Sequence, residues 1–295
     1  MATEASTGAG TETQESQLEA GLDALEQAAV PRAPFWRRFL GSALPPIGGL
    51  LSLLLIWDVV VALRLKQGFL LPGPADVWDA LTQDWTSNQI GQAIWGSLSR
   101  AAIGFGSAIV LGTVIGLVLG QSRLLRKAYG PLLSGMQSLP SVAWVPVMIV
   151  WFGITPSAIY AVVLLGAVPS IAIGLMDGID RVPTIFLNVG RNLGARGLDS
   201  IRFILLPAAL PVYISGLKQG WAFSWRSLMA AELIAVSPLL GPGVGQVLDF
   251  ASNNQNMPLA FATIIIILLI GVGINVIFFA PIERHLLRSR GLGRL

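Results

Sequence analysis

Ile185-Phe-Leu-Asn-Val-Gly-Arg-Asn-Leu-Gly194-Ala-Arg-Gly-Leu-Asp-Ser-Ile-Arg-Phe-Ile-Leu-Leu-Pro207 lies in the interval 177–211, between two long apolar runs. Ile185, Val189 and Leu193 recur every four residues. Gly194 and Gly197 interrupt, and Leu198, Ile201 and Leu205 then recur at helical spacing until Leu206-Pro207 ends the pattern. The period predicts two short amphipathic helices joined at a glycine. Such a unit is too apolar to lie free in water. Its apolar faces press either on the neighbouring spans or on a separate cytoplasmic protein.

The runs on either side set the fold class. Of 295 residues 54% are apolar and only 12% charged, where a soluble domain carries about 25% charged residues. A helix needs about 20 residues to cross the hydrocarbon. The predicted fold is therefore an all-α membrane protein of about six spans: Pro46–Leu63, Ala101–Gly120, Ser138–Phe152, Ser157–Met176, Val212–Ala235 and Leu259–Ala280. The third is short and carries Pro140 and Pro146, which predicts a kink, a tilt or shielding by protein.

Basic residues mark the sides. Arg32, Arg37, Arg38, Arg123, Arg126, Lys127, Arg181, Arg191, Arg196, Arg202, Arg284, Arg288, Arg290 and Arg294 fall in segments on one side of a six-span arrangement, against Arg64 and Lys66 on the other. The positive-inside rule makes both termini and the 177–211 loop cytoplasmic, in a multi-pass membrane protein. These residues bracket apolar runs and do not form a polar basic face, so nucleic acid is not an expected partner. Residues 1–44 read as an acidic disordered tail ending in the interfacial anchor Phe35-Trp-Arg-Arg-Phe39. Residues 45–284 read as the membrane domain and 285–295 as a basic tail. Phe69–Trp78 reads as a turn entering an amphipathic helix. Ser237–Pro258, rich in Gly, Pro and Asn, is either a docking surface or a connection.

Much chemistry is excluded. There is no cysteine and one histidine, His285, beside Arg284 at the membrane edge, so disulfide, iron–sulfur and Cys/His metal sites are absent, and no resident cofactor or metal is expected. Lys66, Lys127 and Lys218 follow Leu, Arg and Leu, which leaves no Gly-Lys-Ser/Thr phosphate loop. ATP, if used, binds another subunit. Ionisable groups within the spans are Asp58, Lys218, Arg226 and Glu232. Lys218, Arg226 and Glu232 are candidates for lining a solute path, and the other reading of them is structural pairing or snorkelling. Gly104, Ala108, Gly112, Gly116 and Gly120 put a small residue at every fourth position, a smooth helix face for close packing, within the subunit or at a moving or dimeric interface.

At the interval 177–211 the chain resembles the permease subunits of ATP-binding-cassette importers. Their loop pattern is Glu-Ala-Ala, three residues, Gly, nine residues, Ile-x-Leu-Pro. Gly194, followed by nine residues and Ile204-Leu-Leu206-Pro207, matches; Asn188-Val189-Gly190 replaces the opening triplet. The resemblance covers roughly residues 45–285. Leu71–Trp78, Ser97-Leu-Ser-Arg100, Trp151-Phe-Gly-Ile154, Leu206–Pro211 and Ala230-Ala-Glu232 look like the branch importing sulfonates, taurine or nitrate. The resemblance implies the type I, MetI-like permease fold, and no bond-making in this chain. It implies ATPase subunits that hold ATP and Mg and receive the coupling loop (Asn188, Val189, Gly190, Gly194, Ala195, Ile204, Leu206, Pro207). It also implies an extracytoplasmic solute-binding protein and a second permease copy, a homodimer first. The cargo implied is a small organic anion, an aliphatic sulfonate or taurine. The alternative is a self-sufficient secondary transporter or channel, which leaves the two-helix loop unexplained.

Overall fold

The computed structural model describes residues 35–63, 70–86 and 88–289, and every regular element among them is helical. The acidic tail before Phe35 and the residues after Ser289 lie outside the described residues. The first unit, ending at Leu63, holds one helix, α1 (Phe35–Ala62). Its apolar part, Ile47–Ala62, is shorter than a full span, and Asp58 is exposed on it.

The second unit contains the remaining helices: α2 (Pro74–Thr86), α3 (Gln89–Gln121), α4 (Arg123–Ser138), α5 (Trp144–Phe152), α6 (Pro156–Asp180), α7 (Thr184–Asn192), α8 (Leu198–Ser200), α9 (Leu206–Ile234), α10 (Val244–Asn253), α11 (Met257–Ile274) and α12 (Ala280–Ser289). Four are long and apolar enough to cross a membrane: α3, α6, the continuous 198–234 helix ending in α9, and the 257–286 helix beginning with α11. The expected third span is a broken pair. α4 meets Ser141–Phe152 at a 93° bend, because Pro140 drives Leu139 to an extended ψ of 131° and ends α4 there. Arg123, Arg126 and Lys127 lie between the second and third apolar runs. They form the first turn of α4, capped by Ser122, whose Oγ accepts from the Leu125 N–H at 3.3 Å. The six expected runs are thus four long spans, one bent pair and one short helix.

α6 is the centre of the second unit, packed most extensively on α9 and α3. The glycine stripe of α3 faces it. A Cβ at Gly104 would meet Val163 at 2.9 Å, at Gly112 Ile171 at 2.7 Å, at Gly116 the Ala172 carbonyl at 2.8 Å, and at Gly120 Ile179 at 2.6 Å. On the other side α6 and α9 touch backbone to backbone, where a Cβ on Gly174 would lie 2.4 Å from the Gly216 Cα. Within lipid, helices gain little from apolar burial against one another, and close approach through small residues supplies the dispersion contact instead.

Arg126 pairs with Asp180, tying the start of α4 to the end of α6 beside the 184–205 loop. Gly174→Leu is expected to cost at least about 1–3 kcal/mol of overpacking, seen as a lower thermal midpoint of the detergent-solubilised protein. Gly273→Leu, where a Cβ meets nothing within 4 Å, is expected to leave that midpoint unchanged.

Candidate functional site

The loop between α6 and α9 is built around two positive-φ glycines. α7 ends in a left-handed turn at Gly194, φ 88°. The Gly194 N–H donates to the Arg191 carbonyl at 3.0 Å and the Ala195 N–H to the Gly190 carbonyl at 2.9 Å, the paired bonds of a Schellman stop. Gly197, φ 55°, turns the chain into α8. The second amphipathic helix is not separate, as the sequence period suggested. α8 runs through a π segment, Ile201–Leu205, directly into α9. Leu206-Pro207 does not stop the helix, because the wider π turn Ile201–Leu205 directly before it accommodates the donor that Pro207 lacks.

One part of the loop's apolar surface presses on the neighbouring spans and another part stays uncovered. Leu187, Ile201 and Leu205 pack under it with Val182, Leu175 and Tyr213. Ile185, Phe186, Val189, Leu193 and Phe203 stay more than half exposed and line a groove of about 750 Å³. Gly190 is the buried member of the departing triplet: a Cβ there would lie 1.8 Å from the Ile204 Cδ1. Asn188 is exposed beside it.

At the far end of α9 the expected path residue Glu232 is fully buried and pairs with Arg100 of α3. Its Oε2 accepts from Ser97 Oγ at 2.6 Å and from the Gly245 N–H at 3.0 Å, and Ser97 Oγ accepts from the Val244 N–H at 2.9 Å. The carboxylate therefore sits on the positive end of α10. Arg100 Nη2 donates to the carbonyls of Leu240, Gly241 and Pro242 at 2.7, 3.2 and 2.8 Å. One ion pair pins the whole 238–245 turn, and Gly243 and Gly245 leave room for it, since a Cβ at either would fall 2.5–2.6 Å from Arg100 or Glu232. Glu232 is thus enclosed and paired within this chain.

Of the other two path candidates, Lys218 is bound to Glu283 of α12 at 2.7 Å. Arg226 differs. It is exposed, its Nε donates to the Ala222 carbonyl at 3.0 Å, and its guanidinium stacks on Phe223 at 4.6 Å. It makes no ion pair among the described residues. A guanidinium facing lipid at the bilayer centre costs at least ~2.5–3.5 kcal/mol. The sequence reading missed Arg100 because it began the second span at Ala101, whereas α3 starts at Gln89. Stepping the glycine stripe back by fours, from Gly104 to Arg100 to Gly96, is the signal that finds it.

Residues 108–281 match the family model of the binding-protein-dependent transport system inner membrane component. The chain belongs to that family. The permease is 29% identical to the taurine transport system permease protein TauC of Escherichia coli, over 70% of this chain and 78% of that protein. It is 30% identical to the nitrate import permease protein NrtB of Synechocystis sp., over 78% and 82%. With the putative aliphatic sulfonates transport permease protein SsuC of Bacillus subtilis it shares 28% over 89% and 92%. Its fold matches a chain of the inward-facing MetNI methionine ABC transporter, TM-score 0.58 at 19% identity, over 68% of this chain and 97% of that one. This is the type I, MetI-like importer fold, and the protein is the multi-pass permease subunit of an ATP-binding-cassette importer.

Removing one partner of the buried pair, by Arg100→Met or Glu232→Ala, is expected to cost about 3–5 kcal/mol of stability. The double variant is expected to lose less than the sum, because no lone charge is left buried. A double-mutant cycle on the thermal midpoint in detergent measures both.

Proposed function

We propose that the permease carries a small organic anion inward, with aliphatic sulfonates and taurine first, and that the 184–207 loop couples this movement to separate ATPase subunits. What carries the reading is the loop itself: a short helix stopped by paired backbone bonds at Gly194, tied to the bundle by one face and presenting Ile185, Phe186, Val189 and Leu193 uncovered on the other. A groove on an ATPase is the complementary surface. Asn188, Val189, Gly190, Gly194, Ala195, Ile204, Leu206 and Pro207 are the coupling residues in this reading. ATP and Mg stay in the ATPase, where the hydrolysis is done. The taurine, nitrate and aliphatic sulfonate permeases among the relatives, and the bicarbonate permease CmpB of Synechocystis sp., 29% identical, support an anionic cargo.

A solute-binding protein delivers the solute from outside and a second copy of the permease completes the path. Both termini and the loop face the cytoplasm, with residues 1–44 and 285–295 as flanking tails, 45–284 embedded in the lipid, and the basic segments supporting that orientation. Coupling works mechanically. Closure of the ATPases draws the loops together, and because α8 runs through the π segment into α9 without a break, a displacement of the chain beyond Gly197 passes directly into the span.

ATP-dependent uptake of labelled alkanesulfonates, taurine, nitrate and bicarbonate into vesicles is expected to require permease, ATPase and binding protein together. Uptake by the permease alone contradicts the reading. Gly194→Val forces a β-branched residue into a left-handed position at a cost of about 1–2 kcal/mol. It is expected to leave insertion intact and separate ATP hydrolysis from uptake, while Gly194→Asn, which tolerates that conformation, keeps them joined.

A further inference from the structure

Ser215, Gln219 and Arg226 lie on one side of α9, within ~40° of each other at 100° per residue, along ~16 Å of helix. All three are exposed. Among the described residues neither Ser215 nor Gln219 makes a side-chain hydrogen bond, and Arg226 makes only its own-helix bond and the Phe223 stack. This is a row of polar groups on a helix otherwise apolar enough to cross a membrane.

Its depth follows from the antiparallel seam with α6. Gly178 meets Ala209, Gly174 meets Gly216, Gly220 meets Ile171 and Gly166 meets Ser227. Arg226 therefore stands level with the middle of Pro156–Asp180. The row runs from there toward the coupling-loop end of α9. Lipid at that level strands three hydrogen-bonding side chains and a full charge, so the row borders water in the working assembly.

The charge on the row is unshared. Arg100, Arg126 and Lys218 are each neutralised by Glu232, Asp180 and Glu283, which leaves Arg226 as a net positive centre. The Ala222 bond and the Phe223 ring hold the guanidinium by its Nε and one face, so its terminal nitrogens remain free to grip a planar or tetrahedral oxyanion in fork geometry.

We propose that Ser215, Gln219 and Arg226 form the oxyanion-binding row of the solute path, with Arg226 contacting the anionic head of the cargo at mid-membrane. The proposal rests on the anion-import reading above, to which it adds the residues that select the charge. In a two-copy assembly each subunit contributes one row.

The chain has no cysteine, so a single introduced thiol can be labelled uniquely. In vesicles holding the complete importer, Gln219→Cys is expected to react with a membrane-impermeant anionic thiosulfonate and to be slowed by added taurine. Leu268→Cys, on the apolar surface of α11, is expected to stay unreactive. In the same vesicles Arg226→Gln is expected to raise the KM for taurine uptake about tenfold, the loss of one charged hydrogen bond. Binding-protein-stimulated ATP hydrolysis persists, and Arg226→Lys recovers part of the loss.

A Gln219→Cys as inert as Leu268→Cys overturns the proposal, as does Arg226→Gln with the parent KM. A Gln219→Cys that labels only when the permease is present without its second copy assigns the row to the subunit contact and also overturns it. Parent vesicles that import none of the anions overturn the cargo reading itself, a result visible before any variant is compared. The labelling decides the case if Arg226→Gln fails to assemble.

Discussion

Helix α6 is held at backbone distance by α3 on one side and α9 on the other, and every functional element of the second unit is positioned by those two seams. Water drives no association between apolar helices within a bilayer, so contact depends on how closely backbones approach. The Gly174–Gly216 crossing and the Gly104–Gly120 stripe provide that approach. Because α9 is fixed along α6, its two ends inherit fixed positions. The 184–207 loop emerges at one end, and Glu232 is carried to the other, where it meets Arg100.

The charges within the spans follow from the same constraint. A buried carboxylate or guanidinium is tolerated only with its partner and hydrogen bonds in place. Arg100 and Glu232 satisfy that condition while serving the backbone, the acid capping α10 and the base gathering three turn carbonyls. The Gly- and Pro-rich 238–245 turn is thereby anchored to both α3 and α9. Lys218 is satisfied by Glu283. Among the described residues Arg226, of these span cations, makes no ion pair, and it stands in line with Ser215 and Gln219 on α9.

The 184–207 loop combines rigidity with an uncovered surface. Its stiffness comes from the Schellman stop at Gly194, the tight Gly190–Ile204 contact and the uninterrupted helix into α9. The replacement of the pattern's small third residue by Gly190 has a local reason here, since Ile204 occupies the space where a Cβ would stand. Its exposed face is as apolar as its buried one, which a loop folded only for itself does not need.

The sequence by itself determined the membrane class, the positions of the apolar runs, the glycine stripe, the turn at Gly194 and the resemblance to importer permeases, because hydropathy, spacing and left-handed turns act over a few residues. Leu206-Pro207 reads as a stop, yet the helix continues through it, because the wider π turn Ile201–Leu205 directly before it takes up the donor that proline lacks. The sequence also left Lys218, Arg226 and Glu232 equivalent. Only the tertiary structure separated them, bringing Arg100 to Glu232 across 132 residues and Glu283 to Lys218 across 65. Whether a charge is a structural pair or a free contact depends on what another helix places beside it, and no local pattern carries that information.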